Sequence, residues 1–166
     1  MTAPMDFSTI PASGPNIRSL TKEVEVSAPP TDVWSAWTTN EGIASWWGPA
    51  ASNIDLRIGG PFEILFSLDA PEGERGSEGC RILAYVPGES LSFTWNAPPQ
   101  LPLRSANTWV VLTFADAPPD ATKVRIVHTG FLDGPDWDDY MAYFENAWDF
   151  VLGLLVGHWE GAKSGD

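Results

Sequence analysis

Two side chains in this sequence have the types and setting for proton transfer inside an apolar domain, His128 and Glu145. His128 continues a run in which Val124 and Ile126 alternate with Lys123 and Arg125, so the pattern turns it inward. An inward histidine is either a core group whose ring nitrogens are satisfied or a pocket proton donor that contacts a ligand. Glu145 is its natural partner. It falls about 60° from the centre of a helical apolar stripe, at the edge of the sheet-facing surface, where a carboxylate is either solvated or aimed into a cavity. Sharing one cavity, the two would suit a cyclase or hydrolase working by general acid–base transfer.

Other site chemistries lack their residues. Metal binding needs three or four converging N, S or O ligands, and besides carboxylates without motif spacing the chain offers only His128, His158 and Cys80. No metal and no cofactor is expected. Gly59-Gly60 joins two strands with no following helix, so it is not a phosphate loop. No serine elbow and no Cys–His pair in a recognisable context is present.

The elements that position these residues follow from patterning. Residues 1–16 hold Pro4, Pro11, Gly14 and Pro15 without apolar periodicity and read as an irregular arm, followed by a single domain over 17–166. Leu20, Val24 and Val26 against Thr21, Glu23 and Glu25 form a half-exposed strand that Pro29-Pro30 ends. Pro30 suits the first turn of a short helix, Thr31 to Trp37. A second short helix follows, with Thr38 and Glu41 at capping-box spacing and Gly48-Pro49 as its stop.

Strands then come in succession. Ile54, Leu56 and Ile58, a Gly59-Gly60 turn, and Phe62, Ile64, Phe66 and Leu68 read as a hairpin with one apolar face. Cys80, Ile82, Ala84 and Val86 precede a Pro87-Gly88 turn, and Leu91, Phe93 and Trp95 follow it. Segment 96–106 carries Pro98, Pro99 and Pro102 with Leu101 and Leu103 between them; it is no central strand, and a lid is one reading. Strands around Val110, Leu112 and Phe114 and around Val124, Ile126 and His128 precede the one long helix, Asp136 to about Gly161.

That helix carries Trp137, Met141, Phe144, Trp148, Leu152, Leu155 and Trp159 on one stripe, which the sheet must cover. Its far side bears Tyr143, Phe150, Gly153, Leu154 and Gly157, where a lone helix on a sheet should be polar. A homodimer contact is one reading of this surface; packing by the arm or the Pro-rich loop is the other.

Bulk properties bound the function. A chain of 166 residues suits one domain that buries roughly 70% of the surface its unfolded chain exposes, without need of a disulfide or metal. The lone Cys80 makes no internal disulfide and reads as a small buried hydrophobe in a reducing setting. With 22 acidic and 9 basic residues, a net charge of -13 and a pI near 4.3, the chain repels phosphate backbones and anionic lipid. Nucleic acid and membrane partners are not expected. No leader pattern or apolar run of ~20 residues appears, so a cytoplasmic, unprocessed protein is expected.

Strand, two short helices, six strands and a long helix make an α+β helix-grip order: a curved antiparallel sheet of about seven strands around the C-terminal helix. The residues Val33-Trp34-Ser-Ala-Trp37-Thr38, Trp46-Trp47-Gly48-Pro49, Asp55-Leu56-Arg57-Ile58-Gly59-Gly60, Leu91-Ser-Phe93-Thr94-Trp95 and Val127-His128-Thr129-Gly130-Phe131 carry a resemblance. Over residues 17–160 the chain resembles the START-like (SRPBCC) superfamily, in the branch named after the activator of the heat-shock-protein ATPase. The resemblance implies an apolar cavity between sheet and helix that in many relatives holds a small hydrophobic molecule, and no shared catalytic set. The family name adds chaperone association and stress response as a further reading.

Binding of a small hydrophobic or amphipathic ligand is therefore the leading expectation, with His128 and Glu145 orienting its polar group. The cavity lining expected is Trp37, Trp46, Trp47, Phe66, Trp95, Leu112, Met141, Phe144, Trp148 and Leu152, with core packing the alternative for each aromatic residue.

Overall fold

The computed structural model describes residues 16–164, so the arm expected over 1–16 lies, apart from Asn16, outside the described residues. In chain order the elements are β1 (Arg18–Val26), α1 (Pro30–Thr38), α2 (Asn40–Trp46), β2 (Ala51–Ile54), β3 (Phe62–Leu65), β4 (Ile82–Val86), β5 (Ser90–Trp95), β6 (Thr108–Ala117), β7 (Ala121–Phe131) and α3 (Pro135–Ser164). The helix-grip order is present. Five strands form an antiparallel sheet in the order β1-β7-β6-β5-β4, and β2-β3 forms a separate hairpin. Backbone bonds join the two sheets where Phe62 N–H donates to Cys80 O at 2.9 Å and Pro61 bridges Arg81.

Strict alternation does its work in β5, β6 and β7. Leu91, Phe93, Trp95, Val110, Leu112, Phe114, Val124, Ile126 and His128 are buried, while Lys123 and Arg125 face solvent. Phe93 stacks on Phe62 of the hairpin at 4.0 Å between ring centroids. Cys80 is buried beside them, and burial pushes its thiol up to about 12, so it is an inert filler at neutral pH.

Four local expectations need correction. The cap of α2 is Thr39, whose hydroxyl accepts from Gly42 N–H at 2.9 Å; Thr38 ends α1 and donates back to Trp34 O at 2.8 Å. Gly59-Gly60 is not a two-residue hairpin turn. The hairpin register pairs Ile54 with Phe62, leaving 55–61 as a loop, because Gly59 N–H and Gly60 O are taken by Ile82 of β4, each at 2.8 Å. Leu56 and Ile58 therefore leave the strand. β3 also stops at Leu65; Phe66 and Ser67 N–H both turn to Arg75 O, leaving Phe66 and Leu68 exposed. Finally, β4 has a register shift between Ile82 and Ala84, and one extra residue flips the side chains beyond it, so Val86 is exposed and Tyr85 packs inward.

A second bulge shapes the interior. Arg18 pairs with Phe131 and Ser19 with Thr129, so Gly130 is the extra residue, at φ 101. A Cβ there would meet the Trp109 ring at 2.7 Å, which calls for glycine. The bulge swings Phe131 to the inner face, 4.6 Å from the His128 ring.

Helix α3 begins at Pro135, with Asp136 and Asp138 in its first turn where the dipole favours carboxylates. Phe144, Trp148, Leu152 and Leu155 are buried as the stripe requires, and Trp137, Met141 and Trp159 are partly so; Tyr140 and Val151 widen it. Among the described residues no helix is long and apolar enough to cross a membrane.

Candidate functional site

Where sheet meets helix, the interior is filled by aromatic rings. Trp37 contacts Trp46 at 4.8 Å, Trp46 stacks on Trp47 at 5.2 Å, and Trp47 reaches Trp95 at 6.1 Å and Trp148 at 6.2 Å. Trp46 satisfies its indole on Ala36 O at 2.8 Å, while the Trp37 N–H is buried without an acceptor among the described residues. Trp37, Trp46, Leu112 and Leu152 are buried core; Met141 is half-buried against it. These five do not line the cleft described below.

His128 is fully buried in a closed network. Trp148 Nε1–H, which can only donate, gives its proton to His128 Nδ1 at 3.0 Å. The histidine proton therefore sits on Nε2 and goes to Thr108 Oγ1 at 2.7 Å. Thr108 passes its own proton to Trp95 O at 3.2 Å and can accept one from Tyr140 OH at 3.3 Å. Burial lowers the His128 pKa to about 3 and raises that of Tyr140 to about 12. Both groups are neutral across the physiological range, and both ring nitrogens are used.

Glu145 is elsewhere. It is exposed and pairs with Lys22 Nζ at 2.8 Å, with Asp149 alongside at 3.1 Å. Hydrogen bonding to Glu145, against an opposing effect of burial, raises the Lys22 pKa. Lys22 lies on the helix-facing side of β1 and carries its ammonium out to the helix flank, so the carboxylate meets a cation at the surface. His128 and Glu145 thus share no cavity, and the proton-transfer pair is not assembled. Among the described residues no group of three or more His, Cys, Asp or Glu side chains gathers as a metal site.

An open space lies at one end of the sheet–helix interface: a largely apolar cleft of about 630 Å³ between α3, the loop after β3 and the Pro-rich loop after β5. Of the expected lining residues, Trp47, Phe66, Trp95, Phe144 and Trp148 are on its wall. Tyr143 and Phe150, read from the sequence as a far-side surface, form its rim, with Phe150 70% exposed. Pro98 and Pro99 close the opposite side. The signals for these were present: a helix aromatic on both faces and a proline-rich segment with apolar residues.

Arg104, which no sequence motif marks, builds the rim. Its guanidinium donates to Gly73 O at 2.6 Å and Gly76 O at 2.8 Å, and to Ala97 O, clasping the Pro-rich loop to the loop after β3. Beneath it Glu78 accepts the N–H groups of Gly73 and Arg75. Burial would raise the Glu78 carboxyl, but backbone N–H donors and the charge of Arg104 outweigh it and hold the pKa below its ordinary value. The remaining polar lining includes Arg75, Glu74, Asn96 and Asn146.

Solved structures share this architecture. A protein of Mesorhizobium loti is 25% identical, with a TM-score of 0.68, covering 86% of this chain and 97% of that one. CalU16 from Micromonospora echinospora is 24% identical (TM-score 0.62; 84% and 73% covered), and an AHSA1-like protein from Rhizobium etli is 19% identical (TM-score 0.60; 89% and 84% covered). No curated protein sequence matches. The family described as "Activator of Hsp90 ATPase homolog 1-like protein" matches residues 27–159, most of the chain, and the protein belongs to that family.

Proposed function

We propose that the protein binds a small, largely apolar molecule in the cleft between α3, Trp47 and the Pro-rich loop, without chemical change. One observation carries this reading: a cleft of about 630 Å³, within the size range of small-molecule sites, walled by indole and phenyl rings with few polar groups. His128 has no place in it, since its nitrogens are spent inside the core. Native mass spectrometry of freshly isolated protein should show a co-purified molecule. Trp47→Ala, at a half-buried wall position, should lower its retention at least tenfold, from loss of roughly 1.5–3 kcal/mol of aromatic contact. Wild-type protein that carries and takes up nothing apolar would overturn the reading.

A homodimer through Tyr143, Phe150, Gly153, Leu154 and Gly157 is the second reading. It is supported by the exposure of Phe150 and by Gly153 and Gly157, where an added Cβ would meet nothing within 4 Å among the described residues, so packing among those residues does not explain their smallness. Light scattering at high concentration should then give twice 18.1 kDa; a monomeric mass excludes it.

A further inference from the structure

We propose that the ligand of the cleft is an aromatic acid: a planar apolar body stacked on the indoles, with an anionic group held by the guanidinium of Arg75. The inference rests on the cleft being a binding site and adds the charge and shape of its occupant.

The charge argument starts from a protein of net charge -13 whose few cations are mostly committed. Arg18, Lys22, Arg57 and Lys123 each lie within 4 Å of a carboxylate. Two arginines line the cleft, and among the described residues neither forms an ion pair. Arg104 is consumed by three backbone carbonyls. Arg75 differs. It gives only Nε, to Ala70 O at 3.0 Å, and its two Nη groups have no acceptor among the described residues. The nearby counter-charges do not occupy it: the oxygens of Glu78 turn to backbone N–H groups, and Glu74 on the same rim is exposed and makes no ion pair among the described residues. Among the described residues Arg81 and Arg125 also form no ion pair, but they are exposed and away from the cleft, whereas Arg75 is half-buried beside an apolar wall.

Position links the charge to the rings. Phe66 N–H donates to Arg75 O at 2.7 Å, which fixes the arginine backbone next to a ring that itself lies 5.9 Å from Trp47. A flat aromatic body gains most against Trp47, Trp95 and Trp148 by offset or edge contact, and a carboxylate, sulfonate or phosphate matches the forked guanidinium at the rim. A saturated body would leave the ring faces unused, and a neutral ligand would leave the fork unused.

The test compares two probes with the same fused-ring skeleton, anilinonaphthalene sulfonate and its sulfonate-free parent phenyl naphthylamine, by fluorescence titration of the full chain. The ratio of the two affinities should shift toward the neutral probe by about tenfold in Arg75→Gln, the equivalent of 1.4 kcal/mol, with thermal melting unchanged. Arg75→Lys, which keeps the charge, should retain part of the preference. A ratio that is the same in wild type and Arg75→Gln overturns the proposal and leaves the cleft as a binding site for neutral molecules. Failure of both probes to bind the wild type overturns the binding reading itself.

Discussion

Acidification from pH 6.5 toward pH 3 should strip about 4–5 kcal/mol from the fold through His128 alone. Its pKa falls from 6.5 to about 3 on burial; in that interval the unfolded chain takes up a proton that the native state refuses. The slope of unfolding free energy with pH follows the difference in bound protons, so stability rises with pH across the window, is complete above 6.5 and is lost as pH falls. The 22 acidic side chains act in the opposite sense as their protonation relieves a net charge of -13. The measurement is therefore a difference: urea unfolding of wild type and His128→Gln at each pH. Gln keeps a donor for Thr108 and leaves the Trp148 N–H unpaired, so the variant should be about 1–3 kcal/mol weaker at pH 8. The gap should close between pH 6 and 4. Parallel curves would show that His128 is protonated in the native state and that its network is not closed.

Trp148→Phe should damage stability and binding together, because this one side chain belongs to both the core and the cleft. Its indole N–H supplies the hydrogen bond to His128 Nδ1, and its ring lies 5.7 Å from Trp95 and 6.0 Å from Phe144 on the cleft wall. Removing the N–H strands a buried acceptor, at about 1–3 kcal/mol, and the smaller ring adds a void. A loss of about 2–4 kcal/mol in chemical unfolding is expected, with about tenfold weaker binding of an aromatic probe. Phe150→Ala, on the exposed rim, should weaken binding alone. If Trp148→Phe leaves affinity untouched while stability drops, the cleft wall lies elsewhere.

Most of the architecture was legible because its signals are local and periodic. The apolar stripe of α3 and the alternation in β5, β6 and β7 bury the residues that their spacing selects. Gly48 stops α2 at φ 69, the left-handed geometry that glycine tolerates. What failed was register. Gly59-Gly60 has the composition of a tight turn, but its backbone pairs with Ile82, a residue more than twenty positions away, and no local pattern records that. The bulges at Leu83 and Gly130 likewise depend on what the neighbouring strand offers.

The site divides along the same line. By itself the sequence determined that His128 points inward and that one face of α3 is core, since side-chain direction follows from helical and strand periods. Only the tertiary structure decided what those groups meet. Trp148 and Thr108 close on His128 from α3 and β6, Lys22 of β1 draws Glu145 to the surface, and the open volume falls at the rim, where Arg104 clasps two loops. Packing and charge pairing between distant segments depend on distances of a few ångströms in three dimensions, and spacing along a chain carries no such measure.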